Sequence, residues 1–133
     1  MKVKFNLAPD VPNKNGTIYP REELKKAIEK YNNEDVKTGR ALGLNHQPTE
    51  YVFPLSDASF KVKNIEFSES ENYYVADIEI LPTPKGKELE GILKKIDEGD
   101  YRIVTYSMGT VENGVIKDMQ IVSVGIEPKE NCA

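Results

Sequence analysis

Two long strand-like runs meet at an Asn-Gly pair in the last third of the chain, and this pairing constrains the fold more than any other feature. The first run, Tyr101-Arg102-Ile103-Val104-Thr105-Tyr106-Ser107-Met108-Gly109-Thr110-Val111, is rich in β-branched and aromatic residues, the types that fit a half-buried pleated surface. The second runs from Val115 to about Ile126, and Pro128 ends it. Asn113-Gly114 lies between them. Both residues tolerate positive φ, which a tight hairpin turn demands. The chain must therefore build a sheet, and its other segments must supply partners and cover.

Those segments read as follows. Lys2 to Ala8 alternates as a first strand, with Val3, Phe5 and Leu7 on one face. Residues 9–16 hold two prolines and an Asn-Gly pair and form a loop. Pro20 opens a helix whose apolar stripe is Leu24, Ala27, Ile28 and Tyr31, and Asn32-Asn33 is expected to end it. Ala58 to Phe67 is a strand carrying Phe60, Val62, Ile65 and Phe67, with a slip near Asn64 that reads as a bulge. Tyr73 to Leu81 is another strand. A proline-glycine break at 82–86 precedes a second helix with Leu89, Ile92, Leu93 and Ile96 at helical spacing, stopped by Glu98-Gly99-Asp100. The expected class is α+β: a mostly antiparallel β-barrel of about six strands, closed or partly closed, with two flanking helices.

A chain of 133 residues suffices for one domain, spanning 1–133, and not for two. Its net charge of −4 and the lack of any basic run argue against nucleic acid as a partner. No apolar run is long enough to cross a bilayer, and the N-terminus lacks the apolar stretch of a signal peptide. The expectation is a soluble protein of intracellular type. Cys132 is the single cysteine, so no internal disulfide can form, and it has no neighbours at metal-ligand spacing. No glycine-rich phosphate loop is present. Neither a metal nor a cofactor is expected.

Candidate chemistry centres on Ser107 and on His46, the one histidine of the chain. A serine hydroxyl becomes a useful nucleophile when a base takes its proton, and histidine is the usual base near neutral pH. A third group then holds the ring. Residue types alone leave two readings open: a catalytic pair, or a strand serine and a loop histidine with no shared role. Asp77 and Glu79 share one strand face and read as a solvated surface rather than a carboxylate pair.

Particular segments add to this. Pro12-Asn13-Lys14-Asn15-Gly16-Thr17-Ile18-Tyr19-Pro20-Arg21-Glu22 contains an Asn-x-Asn-Gly-x-x-Tyr-Pro motif before a helix. Gly39-Arg40-Ala41-Leu42-Gly43-Leu44-Asn45-His46-Gln47-Pro48 carries the histidine. Ile80-Leu81-Pro82-Thr83-Pro84-Lys85-Gly86-Lys87 forms a Leu-x-Thr-Pro-x-Gly turn before the second helix. Tyr106-Ser107-Met108-Gly109 carries the serine, and Ile121-Val122-Ser123 with 128–133 closes the series. In this order they resemble the prohead maturation proteases of tailed phages, a family related in fold to the herpesvirus assembly protease.

The resemblance implies an assembly-protease-like fold with His46 as general base and Ser107 as nucleophile. For the oxyanion donors that such an enzyme needs, the candidates are backbone N–H groups near Gly109 or after Gly125. The sequence departs from the family pattern in three places. Gln47 stands between the histidine and Pro48, Met108-Gly109 follows the serine where one branch has arginine, and Gln120-Ile121 occupies the usual place of an acid before Val-Ser. Gln120, or Asp118 two residues back and expected on the same face, is left to orient the ring. The implied function is a serine endopeptidase that cleaves scaffold and capsid proteins in the prohead. The alternative is a non-catalytic member of the same fold that decorates or cements the virion capsid. Either reading implies phage capsid and scaffold proteins as partners, self-association, no nucleic acid, no membrane, and a place in the host cytoplasm within the prohead or virion. The family's C-terminal targeting extension is expected to be lacking here.

Overall fold

The computed structural model describes residues 1–50, 53–95 and 98–132. Six strands and two α-helices follow one another as β1 (Lys2–Lys4), α1 (Arg21–Tyr31), β2 (Leu42–Leu44), β3 (Phe60–Ser68), β4 (Tyr73–Ile80), α2 (Pro84–Leu93), β5 (Tyr101–Glu112) and β6 (Val115–Pro128). The strands form one sheet in the order β1-β4-β3-β2-β6-β5.

The long hairpin forms as expected. Asn113 (φ 52°) and Gly114 (φ 77°) both take the left-handed region, and this turn's twist matches that of the strands it joins. Ile18 docks beside the turn: its N–H donates to the Gly114 carbonyl (2.7 Å) and its carbonyl accepts from the Ile116 N–H (3.0 Å). Two register shifts interrupt the β5–β6 ladder, at Tyr106/Ser107 and at Met108/Thr110. The expected slip in β3 is also present, between Val62 and Asn64.

The expected barrel is realised as a curled half-barrel. The β1–β4, β4–β3, β3–β2 and β6–β5 pairs are antiparallel, whereas β2 lies parallel to β6, with Gly43 opposite Val124 and Leu44 opposite Gly125. β2 is only three residues long, too short for any periodicity to reveal it. The expected first strand, Lys2 to Ala8, keeps its ladder only to Lys4. Beyond it Phe5 bridges to Ile103, and the Asn6 N–H donates to the Ile103 carbonyl at 2.9 Å. The chain thus crosses from one sheet edge to the outer edge of β5.

Helix α1 buries Leu24, Ala27, Ile28 and Tyr31, the expected stripe. Asp10 caps it from outside by accepting the Arg21 N–H at 2.9 Å, which satisfies one of the orphan donors of a helix start. The helix does not stop at Asn32-Asn33. It widens into a π-helical turn over Asn32–Val36 that buries Val36, because one more apolar side chain can then reach the core. Thr83 caps α2 by accepting the Gly86 N–H (3.0 Å) and donating to the Ala58 carbonyl (2.7 Å). Of its expected stripe, Leu89 is buried, Leu93 is half-buried and Ile92 is exposed; Ile96 lies outside the described residues. The core fills one face of the sheet, where Val3, Phe60, Val62, Ile103, Val124 and Ile126 are all at most 1% exposed.

Candidate active site

The parallel β2–β6 pair determines where His46 goes. Leu44 is opposite Gly125 on β6, and Gly125 is opposite Val104 on β5. Past Leu44 the chain leaves the sheet and turns back over Gly125. A methyl group at Gly125 would lie 2.0 Å from the His46 carbonyl oxygen, so the turn can sit this close only over a residue with no side chain. Pro48, buried against Gly125, locks the far side of the turn. Leu44 and Val104 alternate onto the face that this turn covers.

Thr105 and Ser107 occupy the other face of β5. Thr105 pairs with Val124, Ser107 pairs with Ile121, and the extra residue of the intervening bulge, Val122, belongs to β6. The Ser107 hydroxyl, half-buried, donates to Thr105 Oγ1 at 2.9 Å.

Gln47 connects the two faces. Its N–H donates to Glu127 Oε1 (2.9 Å), and its side-chain Nε2 donates to the Thr105 carbonyl (2.7 Å). That carbonyl points along the outer edge of β5. It lies two residues beyond the Ile103 carbonyl, which accepts from Asn6 at the same edge. The His46 ring is exposed, and its Nδ1 contacts the Gln47 carbonyl oxygen at 3.0 Å. A carbonyl only accepts, so this contact is a hydrogen bond when Nδ1 carries the proton, which in the neutral ring leaves Nε2 its lone pair. Among the described residues no hydrogen bond joins the His46 ring to Ser107.

The structure therefore brings the turn bearing His46 to the strand bearing Ser107, with one glutamine and one threonine between them. It does not bring Gln120 or Asp118 to His46. Gln120 is opposite Met108 and lines a niche with Lys30, Tyr31, Glu34 and Asp35 at the end of α1. It stands five positions along β6 from Gly125, about 16 Å away at the rise of a strand. Asp118 lies farther on and takes a left-handed conformation (φ 53°) at the second register shift. That irregularity removes the simple alternation on which a shared face with Gln120 was expected. Both side chains are exposed.

Thr105 and Glu127 were not singled out from the sequence, and Gln47 stood out only as a departure from the family pattern. Thr105 had an available signal, since it stands two residues before Ser107 on one strand face. Glu127 had none, because its contact crosses eighty residues of chain. Among the described residues no cluster of three or more His, Cys, Asp or Glu could hold a metal ion. No helix among them is long and apolar enough to cross a membrane.

Comparison with known proteins bears on the family and the fold. The prohead core protein protease of Enterobacteria phage T4 is 46% identical over 53 residues, a stretch covering 39% of this chain and 25% of that protein's length. The chain thus aligns with about a quarter of that relative. The capsid assembly protease of bacteriophage T4 superimposes with a TM-score of 0.78 at 18% identity, covering 93% of this chain and 80% of that one. At that identity the superposition speaks for the fold. The sequence profile of the prohead core protein serine proteases matches residues 4–121, a span that includes both His46 and Ser107, and the chain belongs to that family.

Proposed function

We propose that this protein is a serine endopeptidase of phage head maturation, cleaving scaffold and capsid proteins inside the prohead in the host cytoplasm. Ser107 Oγ attacks the peptide carbonyl and gives its proton to His46 Nε2. The imidazolium then protonates the departing amine, and water repeats the sequence on the acyl-enzyme. The observation that carries this reading is the bond from Gln47 to the Thr105 carbonyl, which ties the turn of His46 to the strand of Ser107. It acts at the outer edge of β5, where the two faces of an edge strand meet. A substrate peptide crossing that edge past Thr105 reaches both side chains; the Ile103 and Thr105 carbonyls there are already taken by Asn6 and Gln47.

A second reading has its own observation. Ser107 donates to Thr105, not to His46, as in a protein of this fold kept for binding the capsid as a decoration or cement component. A serine-directed phosphonate separates the two. The protease labels at Ser107, and both Ser107→Ala and His46→Ala abolish labelling and scaffold cleavage. A folded wild-type chain that stays unlabelled, and assembles into capsids equally well as Ser107→Ala, belongs to the second reading.

A further inference from the structure

We propose that Gln47 is the positioning residue of His46, its main-chain carbonyl taking the place at Nδ1 that a carboxylate holds in a conventional triad. The proposal rests on the reading of His46 as the base. Glutamine stands here between the histidine and the proline, and it is the most connected residue of the turn. Its carbonyl oxygen meets Nδ1 at 3.0 Å, its N–H is held by Glu127 Oε1 at 2.9 Å, and its side chain is held by the Thr105 carbonyl at 2.7 Å. Thr105 in turn accepts the Ser107 hydroxyl.

The physical logic is that of an anchored acceptor. A carbonyl orients an imidazole only if the carbonyl itself is fixed. Here Glu127 holds the His46–Gln47 peptide at its N–H, the His46 carbonyl of that same peptide rests over Gly125, and the acceptor carbonyl, in the next peptide, is constrained by Pro48, which biases Gln47 to extended geometry. The acceptor holds the proton on Nδ1 and leaves Nε2 as the basic nitrogen. Being uncharged, it orients the ring without neutralising the imidazolium. No acid need approach the ring, which accounts for Gln120 and Asp118 lying elsewhere. Glu127 acts on the peptide of Gln47. It lies beyond the 4–121 span matched by the family profile.

The lone histidine makes the test direct, because the chain has a single imidazole to observe. Long-range nitrogen–proton correlation spectra of the nitrogen-15-labelled full chain at high pH report which ring nitrogen carries the proton. The wild type should show the Nδ1–H form predominating. Glu127→Ala and Gln47→Ala should reduce that form and slow phosphonate labelling of Ser107 about tenfold, while Glu127→Gln, which keeps an acceptor oxygen, should restore both. Thermal melts confirm that each variant is folded, as expected for the exposed Gln47 and the half-buried Glu127. A wild-type ring protonated mainly at Nε2, or a Glu127→Ala chain with unchanged tautomer and rate, overturns the proposal. Absence of labelling with the tautomer response intact defeats the protease reading alone, and the placement of the ring stands.

Discussion

Replacing Gly125 by alanine is the sharpest test of how the candidate site is held. The added methyl would meet three atoms of the turn: the His46 carbonyl oxygen at 2.0 Å, the His46 carbonyl carbon at 2.9 Å and Pro48 Cδ at 3.0 Å. Comfortable non-bonded contact is about 3.5–4.0 Å, so the turn must move by about 1.5 Å. The nearest atoms are main chain, and no side-chain rotation relieves the clash. Overpacking of this kind costs about 1–3 kcal/mol. Alanine recovers part of that, about 0.5–1 kcal/mol, by restricting the unfolded chain. At the middle of these ranges the net loss is about 1 kcal/mol, a fall in Tm of about 4 °C for a chain of 133 residues. The effect on chemistry is larger, since a misplacement of about 1 Å costs about 10²-fold in rate. Phosphonate labelling of Ser107 should drop by about that factor. Gly91→Ala is the control: it lies on α2 with no atom within 4 Å of the new methyl, and it should stabilise by about 1 kcal/mol. A Gly125→Ala protein that melts with the wild type refutes the packing argument. One that melts lower but labels within twofold of wild type shows that the turn does not govern the reactivity of Ser107.

Two further outcomes follow from the fold. Thr83→Ala removes both the cap of α2 and the bond to Ala58 and should destabilise by about 1–2 kcal/mol, read as a lower urea midpoint at unchanged slope; Thr83→Ser should recover most of it, and an unchanged midpoint would disprove the cap's role. Burial raises the Asp35 carboxyl above its ordinary value, partly offset by the Arg40 guanidinium, with Glu34 adding to the rise. A raised folded-state value means that its contribution to stability is full below the unfolded value near pH 3.9 and is lost as pH rises through the folded one. Asp35→Asn should therefore gain in Tm over the wild type on going from pH 3 to pH 7, and a constant difference across that range would rule the effect out.

Local signals determined a good part of this protein. Alternation located β3 and β4, helical spacing located α1, and Asn113-Gly114 set the hairpin, because each of these is read from neighbours along the chain. Ser107 and His46 stood out because the residue types capable of such chemistry are few, and here the histidine is single. The tertiary structure decided the rest. Three residues of β2 carry no period, yet their parallel docking on β6 sends the His46 turn over Gly125. Bulges broke the period-two rule that had put Asp118 and Gln120 together, since each register shift depends on a partner strand the local sequence does not name. The contact between Gln47 and Glu127 joins residues that become neighbours only when β2 docks parallel on β6. Periodicity reports which face a side chain prefers. What it meets on that face is fixed by strand order and register, which are properties of the whole chain.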